Sequence, residues 1–203
     1  MARFKVGKMS RRLGIGLTEK GRKVLERRPY PPGQHGLSRK SKPSEFARQL
    51  LEKQKLRFLY RLSEKQFKRL FDKARRLEGT TGETFLVLLE KRLDNVIYRG
   101  RFAKTRAQAR QLVAHGHITV NGRKSKTPAM QLRAGDVVTV RPESMDATYF
   151  ADLKQQNPVW FEHGLGWLET SADELSIKIT QEPSHEDAEQ LADVQAIIEF
   201  YSR

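Results

Sequence analysis

The chain of 203 residues contains no cysteine. Disulfide frameworks and thiolate metal sites are therefore excluded, zinc ribbons and fingers among them, and the absence fits a reducing compartment. Long apolar runs are missing as well. The longest, Phe85 to Leu89, falls far short of the ~20 residues a membrane-spanning helix needs. The basic amino terminus lacks the apolar segment of a secretory signal, so a soluble, unexported protein is expected. No internal repeat of fixed period is visible, and the length allows one good core or two small ones.

Motifs for chemistry are also lacking. There is no phosphate-binding glycine loop and no Gly-x-Ser-x-Gly elbow, and Gly14-Ile15-Gly16 lacks the third glycine and the preceding strand of a dinucleotide fingerprint. Carboxylates cluster only near the carboxyl end, where Asp173, Glu174, Glu182, Glu186, Asp187 and Glu189 read as a solvated run rather than an acid/base pair. His115 and His117 could face one way on a strand, yet no third ligand is spaced beside them. The expectation is a protein that is not an enzyme and carries no cofactor and no metal.

What is abundant is positive charge, unevenly spread. Residues 1–141 hold 36 of the 39 Lys/Arg but 11 of the 24 Asp/Glu, a net of +25, whereas residues 142–203 hold 3 against 13, a net of −10. Lysines and arginines spread over several elements suit a phosphate backbone better than a membrane surface or an acidic protein. Nucleic acid is the expected partner. The acidic end, on electrostatic grounds, is expected to face protein or solvent.

Residues 1–44 carry 13 Lys/Arg and two acids, with Pro29, Pro31, Pro32, Gly33, Gly36 and Pro43 as breakers and almost no apolar periodicity. They read as an extended basic arm that orders on its partner. Pro31 to Gly36, PPGQHG, fixes a turn that offers Gln34 and His35 to phosphates. Ser44 caps a predicted helix from Glu45 to about Leu62, apolar on several sides. Ser63 and Gln66 form a capping box before a second helix whose stripe is Phe67, Leu70, Phe71, Ala74 and Leu77, with Lys65, Arg69 and Arg76 opposite. Gly79 and Gly82 bracket a turn. A third helix is predicted from Glu83 to about Arg99. Its apolar face shifts near Lys91, which places a domain boundary there and sets Arg92, Asn95 and Arg99 beside Leu93, Val96 and Ile97.

Thr105 to Lys124 reads as helix, turn, strand and tight turn. Thr105 and Gln108 make a capping box, Gly116 stops the helix, and Ala109, Leu112 and Val113 form its apolar stripe. Arg106 and Arg110 lie one turn apart beside the small Ala107 and Ala114, a spacing that could clamp adjacent phosphates. Ile118 and Val120 alternate as a half-buried strand, Asn121-Gly122 fits a type I′ hairpin, and Arg123 and Lys124 begin the return strand. Val137 to Val140 is a further strand, and Leu175, Ile177 and Ile179 alternate as another, so a small antiparallel sheet is expected. Trp160, Phe161 and Trp167 are core candidates, and Val194 to Tyr201 has helical spacing and docks on another element.

Several of these stretches occur together in one known pattern. PPGQHG (31–36), EKQKL (52–56), EKQF (64–67), LLEKRLDNVIYR (88–99), ARQLVAHGHITVNG (109–122) and EFYSR (199–203) stand in the order and spacing of the small-subunit ribosomal protein S-four family of bacteria and organelles, which the chain closely resembles. From Arg92 onward it is also similar to the S-four RNA-binding module found in pseudouridine synthases and some tyrosyl-tRNA synthetases. The resemblance implies an α+β chain: a mainly helical domain over 45–91, completed by the terminal helix 194–203, an inserted module over 92–181 with two helices and a small antiparallel sheet, the extended arm 1–44 and an acidic linker 182–193.

The resemblance further implies a structural, non-catalytic protein that binds small-subunit ribosomal RNA early, helps nucleate the body of the subunit, neighbours ribosomal protein S-five, is linked with S-twelve to decoding accuracy and lies by the messenger RNA entry path, in the cytoplasm. Taken with the cation pattern, the expected RNA-binding residues are Arg3, Lys8, Arg11, Arg12, Gln34, His35, Arg39, Lys40 and Lys42 in the arm, Lys53, Lys55, Lys65 and Arg69 in the helical part, and Arg92, Asn95, Arg99, Arg106, Arg110, Gln111, His115, His117, Asn121, Arg123 and Lys124 in the module. Two departures stand out. Some relatives hold zinc through cysteines in the arm, which this chain lacks, and Gly100-Arg101 stands where relatives have an apolar residue and then glycine.

Overall fold

The computed structural model describes residues 5–38, 42–155, 165–189 and 191–202. Two compact units emerge, one made of residues 1–72 with 189–203 and the other of residues 73–188. The sequence-based boundary near residue 91 differs from this division because the helix before it gathers with the second unit.

In the first unit, α1 (Val6–Leu13) and α2 (Glu19–Arg27) pack on one another. This corrects the expectation of an extended arm. The contact is made by small residues, which leave no apolar periodicity to read: a Cβ on Gly21 would meet Ser10 Oγ at 2.3 Å, and one on Gly7 would meet Val24 Cγ1 at 3.2 Å. Thr18 caps α2 by accepting from the Gly21 amide at 3.1 Å. Arg11 then ties α1 to the following turn, donating to the Tyr30 and Pro31 carbonyls at 2.9 and 3.2 Å while its guanidinium lies 4.7 Å over the Tyr30 ring.

Helix α3 (Glu45–Leu59) starts at Ser44, whose hydroxyl accepts from the Ala47 amide at 3.3 Å. It touches both α1 and the terminal helix, as its many-sided apolar pattern requires. Helix α4 (Glu64–Ala74) opens with the predicted capping box, Ser63 and Gln66 each bonding the other's amide.

The second unit begins α5 (Thr81–Glu90) and α6 (Leu93–Arg99), two helices where one was expected. Gly82 belongs to α5 and is buried rather than forming a turn. The break comes from tertiary pairing. Arg92 is extended (φ −70°, ψ 136°) and bridges Gln131, while the amides of Leu93 and Asp94 donate to the carbonyls of Met130 and Pro128. A distant strand-like segment has captured the backbone that would have continued the helix.

Helix α7 (Arg106–His115) leads into β1 (Ile118–Val120) and β2 (Arg123–Ser125), followed by β3 (Val137–Val140), α8 (Pro142–Met145), α9 (Thr148–Gln155), β4 (Leu168–Ser171) and β5 (Ser176–Ile179). The antiparallel sheet runs β2-β1-β3-β5-β4. Asn121 and Gly122 take φ of 49° and 74°, as the type I′ turn demands. One face of the sheet, with Ile118, Val120, Val138, Val140, Ile177 and Ile179, closes on Leu93, Val96 and Ile97 of α6, Ala109 and Val113 of α7, and Phe102, Phe150 and Trp167. Each fully buried Phe or Leu there contributes about 1.5–3 kcal/mol. Trp167 is buried as expected, whereas Trp160 and Phe161 lie outside the described residues. Helices α8 and α9 and strand β4 were not foreseen.

The acidic segment is strapped to this unit over part of its length. Glu182 pairs with Lys91, and the Asp187 carbonyl accepts from Arg99 Nη2 at 3.0 Å. The chain closes with α10 (Val194–Ser202) packed on α3 in the first unit, where Phe200 meets Phe46 at 5.5 Å and Tyr201 meets Phe71 at 4.7 Å between ring centroids. No helix among the described residues is long and apolar enough to cross a membrane.

Candidate nucleic-acid interface

The sequence of α7 sets where its ends lie. Thr105 Oγ1 accepts from the Gln108 amide at 3.2 Å, and Gln108 Oε1 accepts from the Lys104 amide at 3.0 Å, so the start is closed from both sides. At the other end Gly116 takes φ of 79° and ends the helix in the left-handed conformation. A Cβ on Gly116 would lie 2.7 Å from Lys124 Cε and 3.2 Å from Lys126 Cε. The stems of both lysines cross this glycine, which places their ammonium groups by the negative end of the helix dipole.

His115 and His117 flank the same spot with ring centroids 6.1 Å apart. His115, Arg123, Lys124 and Lys126 are exposed, and none is paired with an acid among the described residues. Arg141 approaches from the end of β3, its amide donating to the His117 carbonyl at 2.8 Å and its side chain pairing with Glu143. His117 Nδ1 lies 3.0 Å from Ser144 Oγ. Burial, and after it the charges of His115, Arg141 and Lys124, hold the His117 imidazole below its ordinary pKa. The exposed lysine heads beside His115, built on rigid elements, have the chemistry to take phosphates.

Other expected RNA contacts are buried in the fold, and the expectation that they form a positive surface is corrected. Glu90, fully buried, accepts from Arg99 Nη2 and Nε at 2.8 and 2.9 Å and from Asn95 Nδ2 at 2.7 Å. Asn95 Oδ1 in turn accepts from Arg106 Nε at 2.9 Å, and the Arg106 guanidinium lies 4.4 Å over the Tyr98 ring. Arg92, 1% exposed, makes a two-point pair with Asp94 at 2.9 and 3.0 Å, and Arg110 Nη1 lies 3.9 Å from the same carboxylate. Turning these cations outward would break ion pairs and hydrogen bonds made in the interior with Glu90, Asp94 and Asn95, at a cost that holds them inward.

Elsewhere the expected residues divide in the same way. Lys8, Arg12, Gln34, His35, Lys42, Lys65, Arg69 and Gln111 are exposed. Arg11 is committed to the Tyr30–Pro31 turn, and Lys55 pairs with Glu52 at 2.7 Å. Lys53, 5% exposed, binds Glu64 at 2.8 Å under the Phe200 ring at 4.3 Å, so it serves the docking of α10. Asn121 is exposed, yet its amide braces the hairpin, donating to Asp136 and accepting from the Val137 amide, both at 2.9 Å. Arg3, Arg39 and Lys40 lie outside the described residues. Lys126 and Arg141 were missed. Lys126 had a readable signal, since it follows Lys124 at strand spacing on a hairpin already recognised as basic.

Two family models match the chain: the "Ribosomal protein S4/S9 N-terminal domain" over residues 2–90 and the "S4 domain" over residues 91–138. The chain is 52% identical over 206 aligned positions to the small ribosomal subunit protein uS4 of Roseiflexus castenholzii, and equally so to that of Chloroflexus aurantiacus, with all of each chain covered. Against the uS4 protein of Borrelia hermsii the identity is 42% over 200 positions, covering 97% of this chain and 95% of the relative.

Proposed function

Because this chain belongs to the uS4 family, we propose that it is a structural component of the small ribosomal subunit that binds its ribosomal RNA directly and catalyses no reaction. The observation that carries this reading is the pair Lys124 and Lys126 crossing Gly116 beside the exposed His115, whose ammonium heads the fold leaves unspent while it pairs its buried arginines internally. Phosphate neutralisation by such heads supplies affinity without a chemical step. The exposed Lys8, Arg12, Gln34, His35, Lys42, Lys65, Arg69 and Gln111 add contacts of the same kind. Residues 92–181 act as the RNA-binding module, 45–91 with 194–203 as the helical domain, and 1–44 as the basic extension.

The same reading makes the protein an early binder that nucleates the body of the subunit and touches protein S-five, with S-twelve linked to it through decoding accuracy. It places the chain near the messenger RNA entry path, on cytoplasmic ribosomes. Sucrose-gradient sedimentation of a lysate tests it: the chain should travel with small subunits and be released by high salt. A chain found only among free proteins would overturn the assignment.

A further inference from the structure

Within the proposed RNA site two residues, His115 and His117, are of the type that changes charge near neutral pH, and His117 is the one held partly inside the fold. His117 sits where α7, β1, β2 and the start of α8 converge. Its Nδ1 is 3.0 Å from Ser144 Oγ, and its ring lies 6.1 Å from that of Phe150 on α9. The titratable and charged groups facing it are His115 from α7, Lys124 from β2 and Arg141 from the turn after β3, with Glu143 already bound to Arg141. Lys126 crosses Gly116 beside Lys124. We infer that RNA binding at this cluster takes up a proton on His117, so that affinity rises as pH falls. The inference rests on the proposed RNA-binding reading.

The coupling is electrostatic. In the free protein a proton on His117 must join a site that is already positive and partly desolvated, which disfavours the charged imidazolium. Phosphates brought against Lys124, Lys126 and His115 reverse the sign of the local field, and a neighbouring anion favours the charged form. The imidazole therefore has a higher proton affinity in the complex than in the free protein. A group with that difference contributes to binding below its pKa in the complex and loses its contribution as pH rises through that value. The limiting effect for one proton is about tenfold in affinity per pH unit between the two values, since a unit of pKa corresponds to that factor. Ser144 supports either state, because its hydroxyl donates to a neutral Nδ1 and accepts from a protonated one.

The test measures dissociation constants of the full chain for an in vitro transcript of small-subunit ribosomal RNA at pH 6, 7 and 8 and fixed ionic strength. It compares the parent with His117→Gln, His115→Gln and Lys124→Ala. The expected result is tighter binding by the parent at pH 6 than at pH 8 by several-fold, with a clearly shallower slope in His117→Gln. Proton uptake by other groups is common to both proteins, so the difference between the parent and His117→Gln is the quantity read. Carbon-13 NMR of the His117 ring should show its pKa rising on RNA addition. Equal slopes in the parent and a folded His117→Gln, or an unchanged ring pKa, would overturn the inference while leaving RNA binding standing. Failure of the parent to bind the transcript at any pH would overturn both readings. Should His117→Gln lose its fold, as read from circular dichroism, the ring pKa in the parent decides.

Discussion

Glu90 and Arg99 form a two-point ion pair across the break between α5 and α6, with Glu90 fully buried and both its oxygens used. The pair secures more than the break. Arg99 also donates to the Asp187 carbonyl, and Glu90 takes a bond from Asn95, which holds Arg106. One carboxylate thus positions two helices and the acidic strap. Removing its charge breaks a nearly buried ion pair, and such a break costs about 3–5 kcal/mol. Glu90→Gln is therefore expected to lower the urea midpoint well below the parent's. An unfolding curve equal to the parent's would refute the role given to Glu90.

Arg110 and Lys124 separate fold from RNA site. Arg110 is mostly buried 3.9 Å from Asp94, whereas Lys124 is exposed over Gly116. Arg110→Ala should cost about 1 kcal/mol, a melting shift of roughly 2–4 °C for a chain of this size, with the salt dependence of RNA binding unchanged. Lys124→Ala should leave melting within about 2 °C of the parent, a surface change being worth about 0.5 kcal/mol or less, and flatten the log-log salt slope by roughly 0.7–0.9. The opposite pattern would return Arg110 to the interface.

Why such assignments escape a reading of sequence alone is visible in these residues. The ends of α7, the hairpin at Asn121-Gly122 and the strand alternations depend on neighbours in the chain, and each was legible from Thr105, Gly116 and the period of two. The fate of a charge depends on partners set by the fold. Arg99 lies nine residues from Glu90, on the far side of a helix break made by residues 128–132, and nothing local announces either. The α1–α2 contact was hidden for another reason. Gly7, Ser10 and Gly21 pack by being small, and a search for apolar stripes passes over them. In the family pattern, likewise, motif matches found the elements but could not say which cations face out.

Gly100 and Arg101 form the turn after α6. A Cβ on Gly100 would lie 2.4 Å from Ile177 Cδ1, and Arg101 sits at φ 65°, which costs a side-chain-bearing residue roughly 1–2 kcal/mol. Arg101→Gly should therefore be more stable than Arg101→Ala by about 1 kcal/mol, a comparison that cancels the loss of the arginine's own contacts. Gly100→Ala should destabilise by about 1–3 kcal/mol through overpacking, and less in an Ile177→Val background that lacks the Cδ1 atom. Additive effects in urea titrations would show that the two positions do not touch.

Lys53 offers the sharpest separation between a cation in the sequence pattern and a cation on the surface. It lies on α3 beneath the rings of Phe200 and Tyr201, at 4.3 and 5.7 Å, with its ammonium on Glu64. Tyr201 donates to the same Glu64 oxygen at 2.9 Å, and burial, reinforced by that carboxylate, pushes the phenol above its ordinary pKa. Lys53→Met fills a similar volume and keeps the stem contacts. Glu64, about half exposed, is free to rehydrate, so the cost should stay near 1 kcal/mol, the scale of a single net hydrogen bond. Tyr201→Phe should cost about the same, and the double variant less than the sum, because both side chains act through Glu64. RNA affinity and its salt slope should be untouched in all three. A Lys53→Met variant that folds like the parent but binds RNA with a slope lower by nearly one would put this lysine back among the phosphate contacts.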